Sequence, residues 1–169
     1  MIDLLDLHTH TIASGHAYNT LYEMAQSAAE KGLALYGCSE HAPAMPGSCH
    51  KFYFSNFDVI PRVIRGIPVL MGTELNILDH TGRLDLEDHY LQKIDYAIAS
   101  LHPPCIDNHG TVSDYTNAYL GVMENPLIHI IGHPDDSRLP ADWTAVAAAA
   151  AKHHKLLELN SHSLAPNSS

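Results

Sequence analysis

The sequence predicts a parallel α/β fold, either an α/β barrel or a doubly wound sheet. Short apolar runs typical of buried parallel strands alternate with helix-like segments through the whole chain. Histidine or glutamate side chains follow several of these runs, at the strand ends where both kinds of fold assemble their sites. A chain of 169 residues, 46% of them hydrophobic, is long enough for one sizeable core. We therefore expect one α/β domain over residues 1–169.

The first half of the chain begins with a βαβ unit. An apolar alternation predicts a buried opening strand, and Asn19-Thr20 can cap the helix that follows, which Gly32 ends. The stretch from Pro43 to Ser55 is rich in Pro, Gly and aromatic residues and is typical of a long functional loop. The expected elements, in order, are a strand within residues 2–7, a helix at 21–31, a strand at 33–38, a helix around 56–65 and a strand at 67–72.

The second half of the chain continues this alternation. Thr81-Gly82 is typical of a hairpin turn, Ser113 can cap a helix, and Asn125-Pro126 ends that helix. An alanine-rich segment predicts the last helix. The expected elements are a hairpin turn at 79–83, a short helix at 86–93, a strand at 95–100, a helix at 113–124, a strand at 127–131, a helix at 141–154 and a strand at 156–160.

The charge balance argues against whole classes of partner. Nineteen acidic residues against nine Lys and Arg give a formal net charge of -10, which is unsuited to binding nucleic acid or an anionic membrane. The cysteines, Cys38, Cys49 and Cys105, are odd in number and show no close pairing, so a disulfide framework is not expected. No basic-then-apolar leader or membrane-length apolar run is visible, and we expect a cytoplasmic protein.

The histidines are the main compositional clue. Fourteen is a large number for this length, and histidine is the commonest protein ligand of transition metals. His8 and His10 lie at the end of the opening strand, on the same side of it, so the pair can bind one ion. Imidazoles combined with one carboxylate suit zinc, and also manganese or iron. The seven candidate ligands are His8, His10, His16, His41, Glu74, His102 and His133.

A series of motifs spans nearly the whole chain. They are DLHTHT, AS, HAY and TL within 6–21, SEHAP at 39–43, GTELNI at 72–77, HTGRLD at 80–85, SLHPP at 100–104, HIIGHPD at 129–135 and LELNS at 157–161. In this order they resemble the PHP (polymerase and histidinol phosphatase) superfamily of metal-dependent phosphoesterases, and they are most similar to its YcdX-type bacterial phosphatases. The resemblance implies a distorted (βα)7, TIM-like barrel with three divalent ions, usually zinc, for which manganese or iron can substitute.

The resemblance also assigns the candidate ligands by position. It implies that His8, His10 and Glu74 bind the first ion, Glu74, His102 and His133 the second, and His16 and His41 the third. The family's closing motif, an Asp-x-His on the seventh strand, is absent from this chain. We therefore expect a C-terminally truncated PHP domain that lacks the last strand or strands and their helices.

The activity that the resemblance implies is hydrolysis of a small phosphomonoester by attack of a metal-activated hydroxide. His109 and His162, in loops after later strands, are candidates for protonating the leaving group. Two alternatives remain open: a PHP-like domain that binds metal without full activity, and a histidinol-phosphatase or nuclease-type hydrolase. The net charge counts against a nucleic-acid substrate. The expected partner is a small phosphorylated substrate, with no nucleic acid and no membrane, and the oligomeric state is not predicted.

Overall fold

The computed structural model describes residues 4–159. Its strands are β1 (Leu5–Asp6), β2 (Leu35–His41), β3 (Val63–Ile64), β4 (Ile67–Asn76), β5 (Tyr96–Ser100), β6 (Ile130–Ile131) and β7 (Leu156–Leu157). Its α-helices are α1 (Leu21–Glu30), α2 (Asp88–Leu91), α3 (Val112–Met123) and α4 (Trp143–Lys152), and short 3₁₀ helices lie at Ile12–Ser14, Lys51–Ser55 and Phe57–Val59. The alternation of strands and helices confirms the α/β class.

The sheet is mainly parallel. Within the described residues the strand order is β1-β2-β4-β5-β6-β7, and β3 pairs with β4 outside this path. β2 lies parallel to β1 and to β4, and β6 lies parallel to β5 and to β7. The register sets His41 of β2 opposite Glu74 of β4, so both side chains lie near the carboxyl ends of these two strands.

The described chain separates into two compact units. The first unit comprises 4–74 and 86–97, and the second comprises 75–85 and 98–159. Within the described residues no helix is long and apolar enough to cross a membrane.

Two glycines of the first unit make room for one aromatic ring. A Cβ at Gly72 of β4 would lie 2.6 Å from ring atoms of Tyr96, and a Cβ at Gly37 of β2 would lie 2.5 Å from the Tyr96 hydroxyl. That hydroxyl donates a hydrogen bond of 2.6 Å to the carbonyl oxygen of Leu7. Because neither glycine carries a side chain, the buried tyrosine reaches across two strands and anchors the residue that follows β1.

The helix α1 begins where the sequence predicts. Thr20 caps its first turn, and Thr20 and Glu23 form a reciprocal capping box. The Thr20 backbone N–H and hydroxyl both donate to the Glu23 carboxylate, and these bonds hold the pKa of Glu23 below its usual value. Gly32, with a φ of 77°, follows the helix in the left-handed conformation that glycine tolerates.

The helix expected around residues 56–65 is wrong. This segment forms a 3₁₀ turn at Phe57–Val59 and then β3, which pairs antiparallel with the start of β4. Pro61 cannot donate the backbone hydrogen bond that a helix requires, and both residues of β3 are β-branched. Arg65 and Gly66 have φ values of 54° and 84°, as a tight two-residue hairpin turn demands. The local sequence therefore favours a hairpin over a helix.

Strand bounds differ from the expected ones in instructive ways. β4 runs for ten residues to Asn76, so the segment 73–76 lies inside a buried strand rather than beyond it. β2 likewise continues as far as His41. In contrast, β1 has only two residues, and Leu5 is 52% exposed, so the expectation of a buried opening strand is wrong. Among the described strands β1 ends the strand order, which leaves its outer side without a neighbour.

Helix caps and one half-buried lysine stabilise the second unit. α3 begins at Val112, because Thr111 forms a capping box with Asp114, and the expected cap at Ser113 is wrong. The ammonium of Lys155 donates to the carbonyl oxygens of Asn125 and Ile128, which connects the start of β7 to the turn after α3. The hairpin expected at 79–83 is present, since the backbone of residue 78 pairs with that of residue 83.

Candidate metal centre

Glu74 lies at the centre of a histidine cluster in the first unit. β4 buries its side chain completely, and the residue is 0% exposed. Nε2 of His8 lies 3.1 Å from Oε1 of Glu74, whereas Nε2 of His10 and Nδ1 of His41 lie 3.3 Å and 2.8 Å from Oε2. A carboxylate removed from water at this depth requires donors or positive charge around it. The structure thus brings four of the predicted ligands together.

His8 and His10 follow β1 with Thr9 between them. The Thr9 hydroxyl donates to the carbonyl oxygen of Gly37 at 2.8 Å, and its backbone N–H donates to the Ser39 hydroxyl at 3.1 Å. These bonds fasten Thr9 to β2. Because side chains alternate in extended chain, the two histidines point to the opposite side, where Glu74 lies.

His16 and His41 complete the cluster. The rings of His10 and His41 stack with centroids 4.2 Å apart, and the ring of His16 lies 4.8 Å from that of His41. His16 is exposed, on the loop after β1. A Cβ at Gly15 would lie 2.1 Å from the carbonyl oxygen of Gly47, so only glycine allows the two loops to meet this closely. That approach holds His16 beside the other imidazoles.

Glu40 is a fully buried carboxylate that the sequence reasoning overlooked. It accepts hydrogen bonds from the backbone and hydroxyl of Thr11, from the Ser14 hydroxyl at 2.5 Å and from the Cys38 thiol at 3.1 Å. The Ser14 oxygen in turn lies 3.0 Å from the backbone nitrogen of His41 and 3.2 Å from Nδ1 of His10. The position of Glu40 directly before His41 could have indicated its role, because a carboxylate in a buried strand requires hydrogen-bond partners.

In the second unit His102 has a different environment. It is 7% exposed, and its Nδ1 lies 2.7 Å from the side-chain oxygen of Asn76. The thiol of Cys105 also donates to that oxygen, at 3.2 Å. The amide nitrogen and the backbone N–H of Asn76 donate to the two carboxylate oxygens of Asp85, at 2.6 Å and 2.9 Å. Asn76 and Asp85 were also overlooked, although Asn76 shares a strand face with Glu74 by the period of two.

His133 lies beside His102, with ring centroids 5.2 Å apart. Its φ of 22° is unusual for a residue with a side chain, and backbone strain of this kind concentrates at functional sites. The backbone N–H of His133 donates to the carboxylate of Glu158 at 2.6 Å. Glu158 follows β7, so the end of one strand stabilises the strained residue after its neighbour β6.

The donor set of the first unit fits a divalent transition metal. Ligand atoms of His10, His41 and Glu74 all lie within 4.8 Å of one another. Two atoms that bind one zinc ion at about 2.0–2.2 Å lie roughly 2.8–3.6 Å apart at coordination angles near 90–109°. The measured nitrogen-to-oxygen distances of 2.8–3.3 Å match this spacing. Imidazole nitrogens with one carboxylate form a set that suits zinc, manganese or iron, and calcium much less.

The structure describes one of the two residues predicted to protonate the leaving group. His109 is exposed in the second unit, where its backbone N–H donates to the side chain of Asp107. His162 lies outside the described residues. Cys38 and Cys49 are poor candidates for a nucleophile, because burial raises the pKa of Cys38 far above its usual value and raises that of Cys49 to about 12.

Comparison with known proteins gives a consistent result. The family model described as "PHP domain" matches residues 6–164. A "Probable phosphatase" from Caldicellulosiruptor bescii is 48% identical over 159 residues, and one from Acetivibrio thermocellus is 42% identical over 160 residues. These alignments cover 94% and 95% of this chain. The chain spans 66% of the length of both relatives.

Solved structures of low sequence identity share the fold. The histidinol phosphate phosphatase of Lactococcus lactis, solved with zinc, L-histidinol and phosphate, superposes with a TM-score of 0.61 at 19% identity, covering 94% of this chain and 73% of that one. A structure from Listeria monocytogenes gives a TM-score of 0.63 at 19% identity, covering 93% and 82% of the two chains. This likeness, together with the parallel sheet, confirms the predicted TIM-like α/β barrel class.

Proposed function

Because this chain belongs to the PHP domain family, we propose that it acts as a metal-dependent phosphatase on a small phosphomonoester. The observation that supports the proposal most directly is the placement of three imidazole nitrogens within 3.3 Å of the fully buried Glu74 carboxylate. Such a group gains little from burial by itself. It gains a great deal when cations bind between the ligands.

The proposed ligands are the seven residues that the sequence singled out. In the first unit they are His8, His10, His16, His41 and Glu74, and in the second unit they are His102 and His133. We propose three ions, as the family resemblance implies, with zinc as the first candidate and manganese or iron as substitutes. Bound divalent ions would activate water as a nucleophile and would neutralise charge on the phosphoryl oxygens.

The chain's own cations support a role for metal in holding phosphate. Lys51 pairs with Glu87 at 3.1 Å, and Arg83 pairs with Asp79 at 2.8 Å, so both of these basic side chains already face a carboxylate. The net charge of -10 would otherwise repel a phosphate dianion. Metal ions held by the histidine cluster would supply the positive charge that phosphate binding requires.

The residues around the proposed site have distinct tasks in this mechanism. Glu74 presents both oxygens to different imidazoles, and its burial keeps that geometry fixed. Neutral imidazoles supply lone pairs to metal without adding charge. His109, whose side chain is exposed, remains the proposed donor of a proton to the leaving oxygen.

The test combines metal analysis with turnover. The purified chain is expected to retain zinc, manganese or iron, and to hydrolyse p-nitrophenyl phosphate until a chelator removes the metal. Returning zinc or manganese should restore the rate. His10→Ala should lower both metal content and rate by at least about tenfold. His89→Ala removes an exposed histidine of the same unit and should leave both unchanged.

The outcomes separate the open alternatives. Metal retention without chelator-sensitive turnover would overturn the phosphatase proposal in favour of a metal-binding module. A folded chain that takes up no transition metal would overturn both. Cleavage of single-stranded oligonucleotide ends in preference to small phosphomonoesters would support the nuclease-type reading instead.

A further inference from the structure

We propose that Glu40 and Asp85, neither of them a predicted ligand, determine which ring nitrogen His10 and His102 offer to metal. Each carboxylate ends a short hydrogen-bond chain that reaches Nδ1 of one histidine, through Ser14 in the first unit and through Asn76 in the second. Both are therefore positioning residues. The inference deepens the proposed function, on which its metal-binding part rests.

The hydrogen bonds that link Glu40, Ser14 and His10 in the first unit allow only one placement of the protons. Glu40 accepts hydrogen bonds from the Thr11 backbone and hydroxyl and from Cys38, so its oxygens act as acceptors throughout. The single Ser14 hydrogen therefore points to Glu40, at an oxygen-to-oxygen distance of 2.5 Å.

Ser14 must then accept from its other two neighbours. One is the backbone N–H of His41 at 3.0 Å, and the other is Nδ1 of His10 at 3.2 Å. A serine oxygen has two lone pairs, and both are used by these contacts. His10 consequently carries its proton on Nδ1. Its Nε2 presents a lone pair to the Glu74 carboxylate, 3.3 Å away. Because this nitrogen and the carboxylate oxygen are then both acceptors, a cation between them would be favourable.

The hydrogen bonds that link Asp85, Asn76 and His102 in the second unit fix the protons in the same way, with an amide in place of the hydroxyl. Asp85 accepts at both oxygens, from the backbone N–H and from the side-chain nitrogen of Asn76. The amide is thereby oriented with its oxygen toward His102, 2.7 Å from Nδ1. An amide oxygen only accepts, so His102 donates from Nδ1 and keeps a lone pair on Nε2.

Burial makes both arrangements stiff. Glu40, Ser14 and Asn76 are each 0% exposed, and His102 is 7% exposed. Water therefore competes little for these hydrogen bonds, and breaking one of them leaves a buried polar group without a partner. The two series of hydrogen bonds lie in different units and use different residue types. Both nevertheless end in a carboxylate, and both leave Nε2 of the histidine for metal. Partners of this kind orient metal-binding histidines and raise their basicity.

The decisive measurement is the tautomer of each imidazole. Long-range ¹H–¹⁵N correlation spectra of the metal-free chain, at a pH above the ordinary histidine pKa, should show His10 and His102 protonated on Nδ1. Finding Nδ1 of either ring without a proton would overturn the proposal. Because this spectrum requires neither metal nor turnover, its result is independent of whether the chain is a phosphatase.

Variants sharpen the test in the second unit. Asp85→Asn replaces the oxygen that accepts from the Asn76 side-chain nitrogen by an NH2 donor. The Asn76 amide should therefore flip and turn its nitrogen toward His102, and the Nδ1–H form of His102 should diminish. Zinc affinity, measured by chelator competition, should fall about 10- to 100-fold. The exchanged pair Asp85→Asn with Asn76→Asp restores every donor and acceptor and should recover the Nδ1–H form. A variant that merely damages the fold would not be rescued this way.

Matched controls lie in the same unit as each variant. Asp79→Asn removes a carboxylate of the same hairpin whose partners are Thr81 and Arg83, and it should leave His102 unchanged. In the first unit Ser14→Ala should reduce the Nδ1–H form of His10, whereas Ser55→Ala, which removes a hydroxyl bonded to the Phe52 carbonyl, should not. Unchanged tautomers and unchanged zinc affinity in both Asp85→Asn and Ser14→Ala would overturn the positioning role.

Discussion

The two compact units hold their histidines in different chemical settings. In the first unit three imidazoles face the fully buried carboxylate of Glu74, and in the second unit His102 faces the amide oxygen of Asn76. The Glu74 carboxylate is a proposed metal ligand, and a cation bound beside it would offset the cost of its burial. An amide oxygen is neutral and orients the ring without competing for metal. The contrast is between a proposed metal ligand, Glu74, and a proposed positioning residue, Asn76.

Glu74→Gln should produce the largest effect, because it removes the carboxylate of the first unit while leaving the second unit intact. Zinc affinity should fall by more than the roughly 10- to 100-fold expected for an indirect partner. Chelator competition measures this, and the Nδ1–H signal of His102 should persist. Glu87→Gln, which alters an exposed carboxylate paired with Lys51, serves as the control. Native zinc affinity in Glu74→Gln would contradict the central role of this residue.

Gly72→Ala should destabilise the first unit through a clash with one aromatic ring. Its new Cβ would lie 2.6 Å from the Tyr96 ring, and relieving such a clash costs about 1–3 kcal/mol of the free energy of unfolding. Urea unfolding provides the measurement. In a Tyr96→Leu background the same substitution should cost less, since the ring is gone.

Gly132→Ala is the counterpart in the second unit. The new Cβ would lie 2.1 Å from the Ser100 hydroxyl oxygen, a buried atom that has no hydrogen-bond partner among the described residues. This hydroxyl can rotate away without losing a bond, so the cost should be smaller than for Gly72→Ala. Equal or larger destabilisation by Gly132→Ala would contradict the rigidity assigned to the Tyr96 ring.

Thr20→Ala and Thr111→Ala should have similar, intermediate effects, because each removes the capping box of one helix in one unit. We expect a loss of about 1 kcal/mol for each. Amide hydrogen exchange should show the loss in α1 for the first variant and in α3 for the second. Thr144→Ala, in the exposed first turn of α4, is the control.

The smallest effect concerns acid stability. Hydrogen bonds from the Thr20 backbone and hydroxyl lower the pKa of Glu23, and the same bonds from Thr111 lower that of Asp114. A carboxyl whose pKa is lower in the folded state stabilises the protein above its unfolded-state pKa, and that contribution is lost as the pH falls through the folded-state pKa. Glu23→Gln and Asp114→Asn should therefore weaken this acid-side dependence. Melting temperatures over a pH series test it, and identical slopes in native and variants would contradict it.

Local patterns account for much of the prediction. The caps of α1, the hairpin at 79–83 and the alternation that makes the α/β class all arise from contacts within a few residues. The placement of His41 at the end of β2, and of His8 and His10 after β1, follows from where the apolar runs stop. The helix expected around 56–65 fails for a local reason too, since Pro61 lacks a backbone N–H and Arg65-Gly66 forms a tight turn.

By itself the sequence determined the α/β class, the family and the list of candidate ligands, because these depend on periodicity and on motifs that are read along the chain. Only the tertiary structure decided that Glu40 serves His10 through Ser14 and that Asp85 serves His102 through Asn76. The Ser14–Glu40 and Asn76–His102 contacts each join residues 26 positions apart. Which buried donor finds which acceptor depends on how strands pair in three dimensions, and no short stretch of sequence carries that information.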